Sequence, residues 1–159
     1  MAMLMIEAAL VASLGLWMAV AVYDNWRHAR LNREAVAMVM RFDLMAREFP
    51  EDFRLVAHRS IESEAVISLV FNAMRLAETV AALALSGAAV ALALAGFGQL
   101  DADTARTAAM IATTFFILIW AGFIVGGNYF HYYYCHPWGQ SNHFMFMYWG
   151  FFVLLVLMI

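Results

Sequence analysis

The chain has no lysine, one cysteine, two prolines and few charges of either sign. Each scarcity excludes something. All nine basic residues are arginine, and seven of them lie between residues 24 and 64 beside eight acidic residues. No net basic surface results, so no nucleic-acid partner is expected. A single cysteine, Cys135, excludes an internal disulfide. Charged residues make up 13% of the chain and hydrophobic ones 65%, with a mean hydropathy of +0.76. Soluble domains carry about 25% charged residues, so 159 residues of this composition cannot hide their apolar surface in a water-soluble globule. The start, "MAMLMIEAAL", has no basic residue and carries Glu7 inside its apolar run. It reads as a retained span, not a cleaved signal. No nucleophile–base pair, phosphate-binding loop or pair of catalytic carboxylates stands out, and no enzyme activity is expected.

What the chain does have is long apolar runs. Four qualify as membrane helices, at about 4–23, 73–97, 104–127 and 143–159. Thr79 to Phe97 contains nineteen uncharged residues, which rise about 28 Å as a helix, close to the thickness of a hydrocarbon core. Hydrocarbon offers no partner to an unpaired backbone group, and the runs lack the alternation of a barrel strand, so helices are required. The expected fold is all-α: an integral membrane four-helix bundle forming one domain, 1–159. An even number of spans puts 24–64 and 128–142 at the same end. "GQLDAD" is a tight connection between antiparallel neighbours, with Asp101 or Asp103 capping the third helix and Ser60 the second.

Between the first and second spans, Leu31, Ala35, Met38, Phe42, Met45 and Phe49 recur at spacings of four and three. This predicts one amphipathic surface helix over 31–49, ended by Pro50, with Asp43 and Arg47 paired one turn apart.

Polar residues near the apolar runs are the natural candidates for function. Asn72, Arg75 and Glu78 are spaced by three on one side of the second helix. The reading favoured is a pair, Arg75 with Glu78, near the membrane surface and partly neutralising each other. Glu7 also stands close to a membrane surface, and it can pair with Arg106 if the first and third helix ends meet on that side. Small residues predict helix contacts: Gly122 and Gly126 in the third span, and Gly87, Ala91 and Ala95 in the second.

The stretch "GGNYFHYYYCHPWGQSNHF", residues 126–144, concentrates aromatic rings, histidines and the cysteine. If the third helix continues, His131 and Cys135 share a face, with His136 adjacent and His143 seven residues on. Imidazole and thiolate suit a transition metal or a haem or pigment, but His-x3-Cys-His-x6-His is no established ligand spacing. The favoured reading is an aromatic belt and packing loop where the bilayer meets water.

Two pieces of this stretch carry a family resemblance: "GGNYF", Gly126 to Phe130, and "WGQ", Trp138 to Gln140. With "DNW" from Asp24 and "AETVAA" around Glu78, they resemble the bacterial family of predicted small integral membrane proteins, a domain of unknown function. Asn128 stands where that family usually has glutamate, and the asparagine of its Trp-Asn-Gly-Gln element is missing. The resemblance implies four helices in a bacterial inner membrane, and it places 24–64 in the periplasm with both termini cytoplasmic. The seven arginines of 24–64, counted alone, argue for the opposite orientation.

The function expected is that of a non-catalytic accessory subunit of a larger energy-converting membrane complex, respiratory or photosynthetic. The small-residue stripes and the apolar ending "LLVLMI" motivate it. Its partners would be other membrane subunits and lipid, and no cofactor is required. The alternatives are a metal-, haem- or pigment-binding protein using residues 128–143, and a small oligomeric transporter using Asn72, Arg75 and Glu78.

Overall fold

A computed structural model describes all 159 residues. The chain is all-α, without strands. Four long helices are α1 (Ala2–Arg27), α5 (Glu64–Gly96), α6 (Ala102–Tyr129) and α8 (Pro137–Leu157). Between α1 and α5 lie α2 (Ala29–Met40), α3 (Asp43–Glu48), α4 (Pro50–Val56) and one 3-10 turn, Ala57–Arg59. The short α7 (Tyr132–Cys135) joins α6 to α8. Helices α1, α5 and α6 are each long and apolar enough to cross a membrane. The first turns of α8 are diluted by Gln140, Ser141, Asn142 and His143.

Helices α1 and α5 run antiparallel in close contact. A Cβ at Gly15 would lie 3.2 Å from both Leu85 Cβ and Ser86 N, and one at Gly96 would meet Met5 Sδ at 3.0 Å. Helices α6 and α8 approach the same way: a Cβ at Gly150 would meet Ile117 Cγ1 at 2.6 Å. The shared core draws on all four long helices, with Val11, Leu14 and Met18 from α1, Leu85 and Leu92 from α5, Phe116 and Trp120 from α6, and Val153 and Leu157 from α8. Trp17, Trp120 and Phe146 form an aromatic knot with ring centroids 4.0 to 5.4 Å apart. Asp101 caps α6 through the Thr104 amide at 2.8 Å, as its position predicts.

Several expectations are corrected. The helix-contact glycines are Gly15, Gly96, Gly127 and Gly150; Gly87, Gly122 and Gly126 have nothing within 4 Å of where a Cβ would stand. Gly87 and Gly122 are exposed and Gly126 is half-buried, and no neighbouring atom packs against any of them. Ala95 is buried and Ala91 half-buried against the core, so that part of the α5 stripe does pack. The cap of α5 is Ser63, not Ser60, because the helix begins at Glu64; Ser60 bonds Glu62 and the Arg41 carbonyl.

The continuous helix expected over 31–49 is two helices, interrupted at Phe42, which is left-handed with φ 59°. Buried Phe42 stacks near Phe53 and Phe130, and that packing holds the break. The interruption resets the pattern: α2 buries Ala37 and Met40 against Ile67, while Leu31, Ala35 and Met38 face outward. Pro50 begins α4 at its first turn, where the missing N–H costs nothing. Arg47 pairs with Glu48 at 2.9 Å, not with Asp43. Pro137 likewise starts α8 six residues before His143.

Candidate functional site

The end of the molecule formed by α2–α4 and α7 holds a cavity of about 630 Å³. It opens where α5 and α6 present short side chains to each other, Ala73 and Ala77 on one side and Gly122 and Gly126 on the other, with α2 above. The absent side chains of Gly122 and Gly126 therefore make room instead of a helix contact. Most of the wall is apolar, and Trp120, Phe123 and Phe130 give it an aromatic floor.

Its polar groups come from two places that are far apart in sequence. On the α5 side stand Arg75 and Glu78, with Asn25 from α1 and Asn32 from α2. Asn25 Nδ2 donates to Glu78 Oε2 at 2.5 Å, and Asn32 Nδ2 donates to Asn25 Oδ1 at 2.7 Å. Glu78 is 6% exposed, and no cation of the chain pairs with it. Arg75 does not reach it, contrary to the expected pair. The guanidinium lies 3.9 Å from the Trp26 ring and donates to Asn72 Oδ1 at 2.8 Å. Stacking on Trp26, which α1 delivers to the same level, outcompetes the carboxylate for its position. Asn72 itself is exposed and outside the cavity.

On the opposite wall stand Tyr132 and His143, whose rings stack at 5.6 Å. The Trp120 Nε1–H and His143 Nδ1 are buried without a hydrogen-bond partner. Trp120 is 4% exposed.

The four residues weighed as metal ligands part company. No three His, Cys, Asp or Glu side chains converge anywhere in the structure. Helix α6 ends at Tyr129, and His131 follows in a left-handed conformation, φ 51°, as the N-cap of α7, so it and Cys135 do not lie on one continuous helix. It sits between Arg59 Nη1 at 3.3 Å and the Tyr133 hydroxyl at 3.2 Å. His136 stacks on Tyr132 at 4.8 Å, and burial pushes its imidazole below the usual histidine range. Burial likewise raises the Cys135 thiol, which leaves it a weak ligand and a weak nucleophile. Only His143 reaches the cavity.

Glu7 lies at the far end of the long helices, and Arg106 reaches it there as expected. Asn25 and Asn32 carried no functional expectation. The available signal for Asn25 was its place in "DNW", the first polar group after the first apolar run.

The aromatic loop explains its own glycines. A Cβ at Gly127 would lie 2.6 Å from Gln140 Oε1, and one at Gly139 would collide with the Tyr132 phenol. Gln140 also donates to Asn128 Oδ1 at 3.3 Å. "GGNYF" and "WGQ" are thus two halves of one contact that shapes the cavity wall. The family of predicted small integral membrane proteins matches residues 3–159. The chain belongs to this family. It is an integral membrane protein, and the family is one of unknown function. No curated protein and no solved structure matches the chain. In this family member, the block of sequence that carries the likeness folds directly against the cavity.

Proposed function

We propose that this protein spans a bacterial inner membrane four times and binds a lipid-class amphiphile, without catalysis, in the cavity beneath α2. The supporting observation is the cavity's make-up and depth. From Gly96 back to Glu78, and from Ala102 on to Trp120, each helix rises about 27 Å. Against a hydrocarbon core of about 30 Å, Glu78 and Trp120 lie near one boundary, where an amphiphile changes from tail to head. At that level the walls combine apolar groups from α5 and α6 with polar ones at Asn25, Asn32, Arg75 and Glu78. A volume near 630 Å³ falls within the usual range for small-molecule sites. In this reading α2–α4 lie along the membrane surface as a cover, on the periplasmic side.

The test is native mass spectrometry of protein released from membranes in a mild detergent. Wild type retains one or two phospholipids through detergent exchange, and Gly122→Trp, which fills the opening, loses them. Equal retention by both proteins rejects the proposal.

A second reading is the accessory subunit, in which a partner's helix fills the same opening between α5 and α6. The exposed Gly122 favours it, because a bare backbone admits close helix approach. A stoichiometric membrane protein that co-purifies with wild type and is lost in Gly122→Trp, with no lipid retained, selects this reading over the first. The transporter reading and the metal or pigment reading gain no supporting contact from the geometry.

A further inference from the structure

Arg75 and Glu78 stand one turn apart on α5 and both line the cavity, yet neither is neutralised by the other or by any other residue. Buried charges in proteins are ordinarily paired. Glu78 is buried and Arg75 half-buried, and a carboxyl without a cation beside a guanidinium without an anion, in one largely apolar cavity, fits a ligand that carries both charges. We infer that the cavity takes a phospholipid with an ethanolamine-type head, its ammonium at Glu78 and its phosphate at Arg75.

The inference rests on the amphiphile-binding reading and deepens it. Glu78 uses Oε2 to accept from Asn25, which holds the carboxylate in place and leaves Oε1 without a partner. Asn25 is in turn held by Asn32. Arg75 spends one N–H on Asn72 and a ring face on Trp26 and keeps its other donors. Residues three apart on a helix share a face, so one bound head can meet both side chains. On the opposite wall, the Trp120 Nε1–H and His143 Nδ1 also lack partners. The acyl chains then leave through the gap beside Gly122, between α5 and α6.

The shared chemistry, an ammonium linked to a phosphate, also occurs in free phosphoethanolamine; the apolar walls commit the site to the lipid. The experiment titrates delipidated full-length protein in detergent with phosphatidylethanolamine and with phosphatidylglycerol of the same chains, read by native mass spectrometry. Both lipids carry phosphate, and only one carries ammonium. The wild type binds phosphatidylethanolamine about tenfold more tightly. Glu78→Gln, which still accepts from Asn25, abolishes the preference for phosphatidylethanolamine, and an unchanged circular dichroism spectrum shows that the variant is folded. Free phosphoethanolamine does not compete. Equal affinity of the wild type for the two lipids, each lost in Gly122→Trp, overturns the headgroup assignment and leaves amphiphile binding intact. Failure to bind either lipid overturns both. Full competition by free phosphoethanolamine overturns the lipid as the source.

Discussion

Arg106 donates three hydrogen bonds to Glu7, at 2.9, 3.0 and 3.2 Å, and joins the start of α6 to the start of α1 across the shared core. Glu7 is 1% exposed, while Arg106 keeps contact with the surroundings. This pair and the Glu78 cluster stand at opposite ends of the long helices. The first is a closed ion pair; the second is open.

Removing Arg106 strands a buried carboxylate, so Arg106→Ala lowers the thermal midpoint of the detergent-solubilised protein by roughly 5 °C or more. Glu7→Gln in the same chain recovers most of that loss, because no charge then remains unpaired. A double variant no more stable than Arg106→Ala alone contradicts this account.

Gly150 and Gly122 separate packing from space. Gly150→Ala forces a methyl against Ile117 and Phe116 and costs about 1–3 kcal/mol by overpacking. Gly122→Ala meets nothing and is neutral or stabilising by up to about 1 kcal/mol from helix propensity. Thermal scanning of the two variants checks the contrast. Equal destabilisation by both means that α6 is rotated from the orientation described.

Asn25 matters through Glu78. Asn25→Ala leaves a buried carboxyl oxygen without its donor and destabilises by about 1–3 kcal/mol. Asn72→Ala, at an exposed position, changes stability by less than about 0.5 kcal/mol. Chemical denaturation in mixed micelles ranks the two.

His136 gives the loop a pH dependence. Its folded imidazole titrates below the ordinary value of 6.5, chiefly through burial, while Glu48 opposes the shift. The neutral ring is therefore the form that packs on Tyr132. The stability it confers is present above about pH 6.5 and is lost as pH falls through the lower folded value. Near-UV circular dichroism from the tyrosines shows a loss as pH falls below about 6.5 in wild type, and His136→Phe abolishes it.

Orientation is checked with impermeant maleimide on a Cys135→Ala background. A cysteine at Glu51 is labelled in cells with a permeable outer membrane, and one at Gln99 only after the inner membrane is opened. The reverse pattern inverts the proposed orientation.

The membrane character, the three clear spans, the cap at Asp101 and the Glu7–Arg106 contact were legible along the chain. Hydropathy, capping and span length are local properties, and antiparallel spans of known length bring predictable ends together. The break at Phe42 was not legible. A left-handed residue there is held by contacts with Phe53 and Phe130, and no local signal specifies them.

The amino-acid sequence alone determined that this chain needs a lipid solvent, because too few of its residues are charged for water to be one. Tertiary structure decided which small residues touch and which leave a gap, and it brought Asn25, Glu78, Trp120 and His143 to one cavity. Helix rotation and splay set those outcomes. Both depend on how side chains from four separate segments fill space together, which no single stretch of the chain encodes.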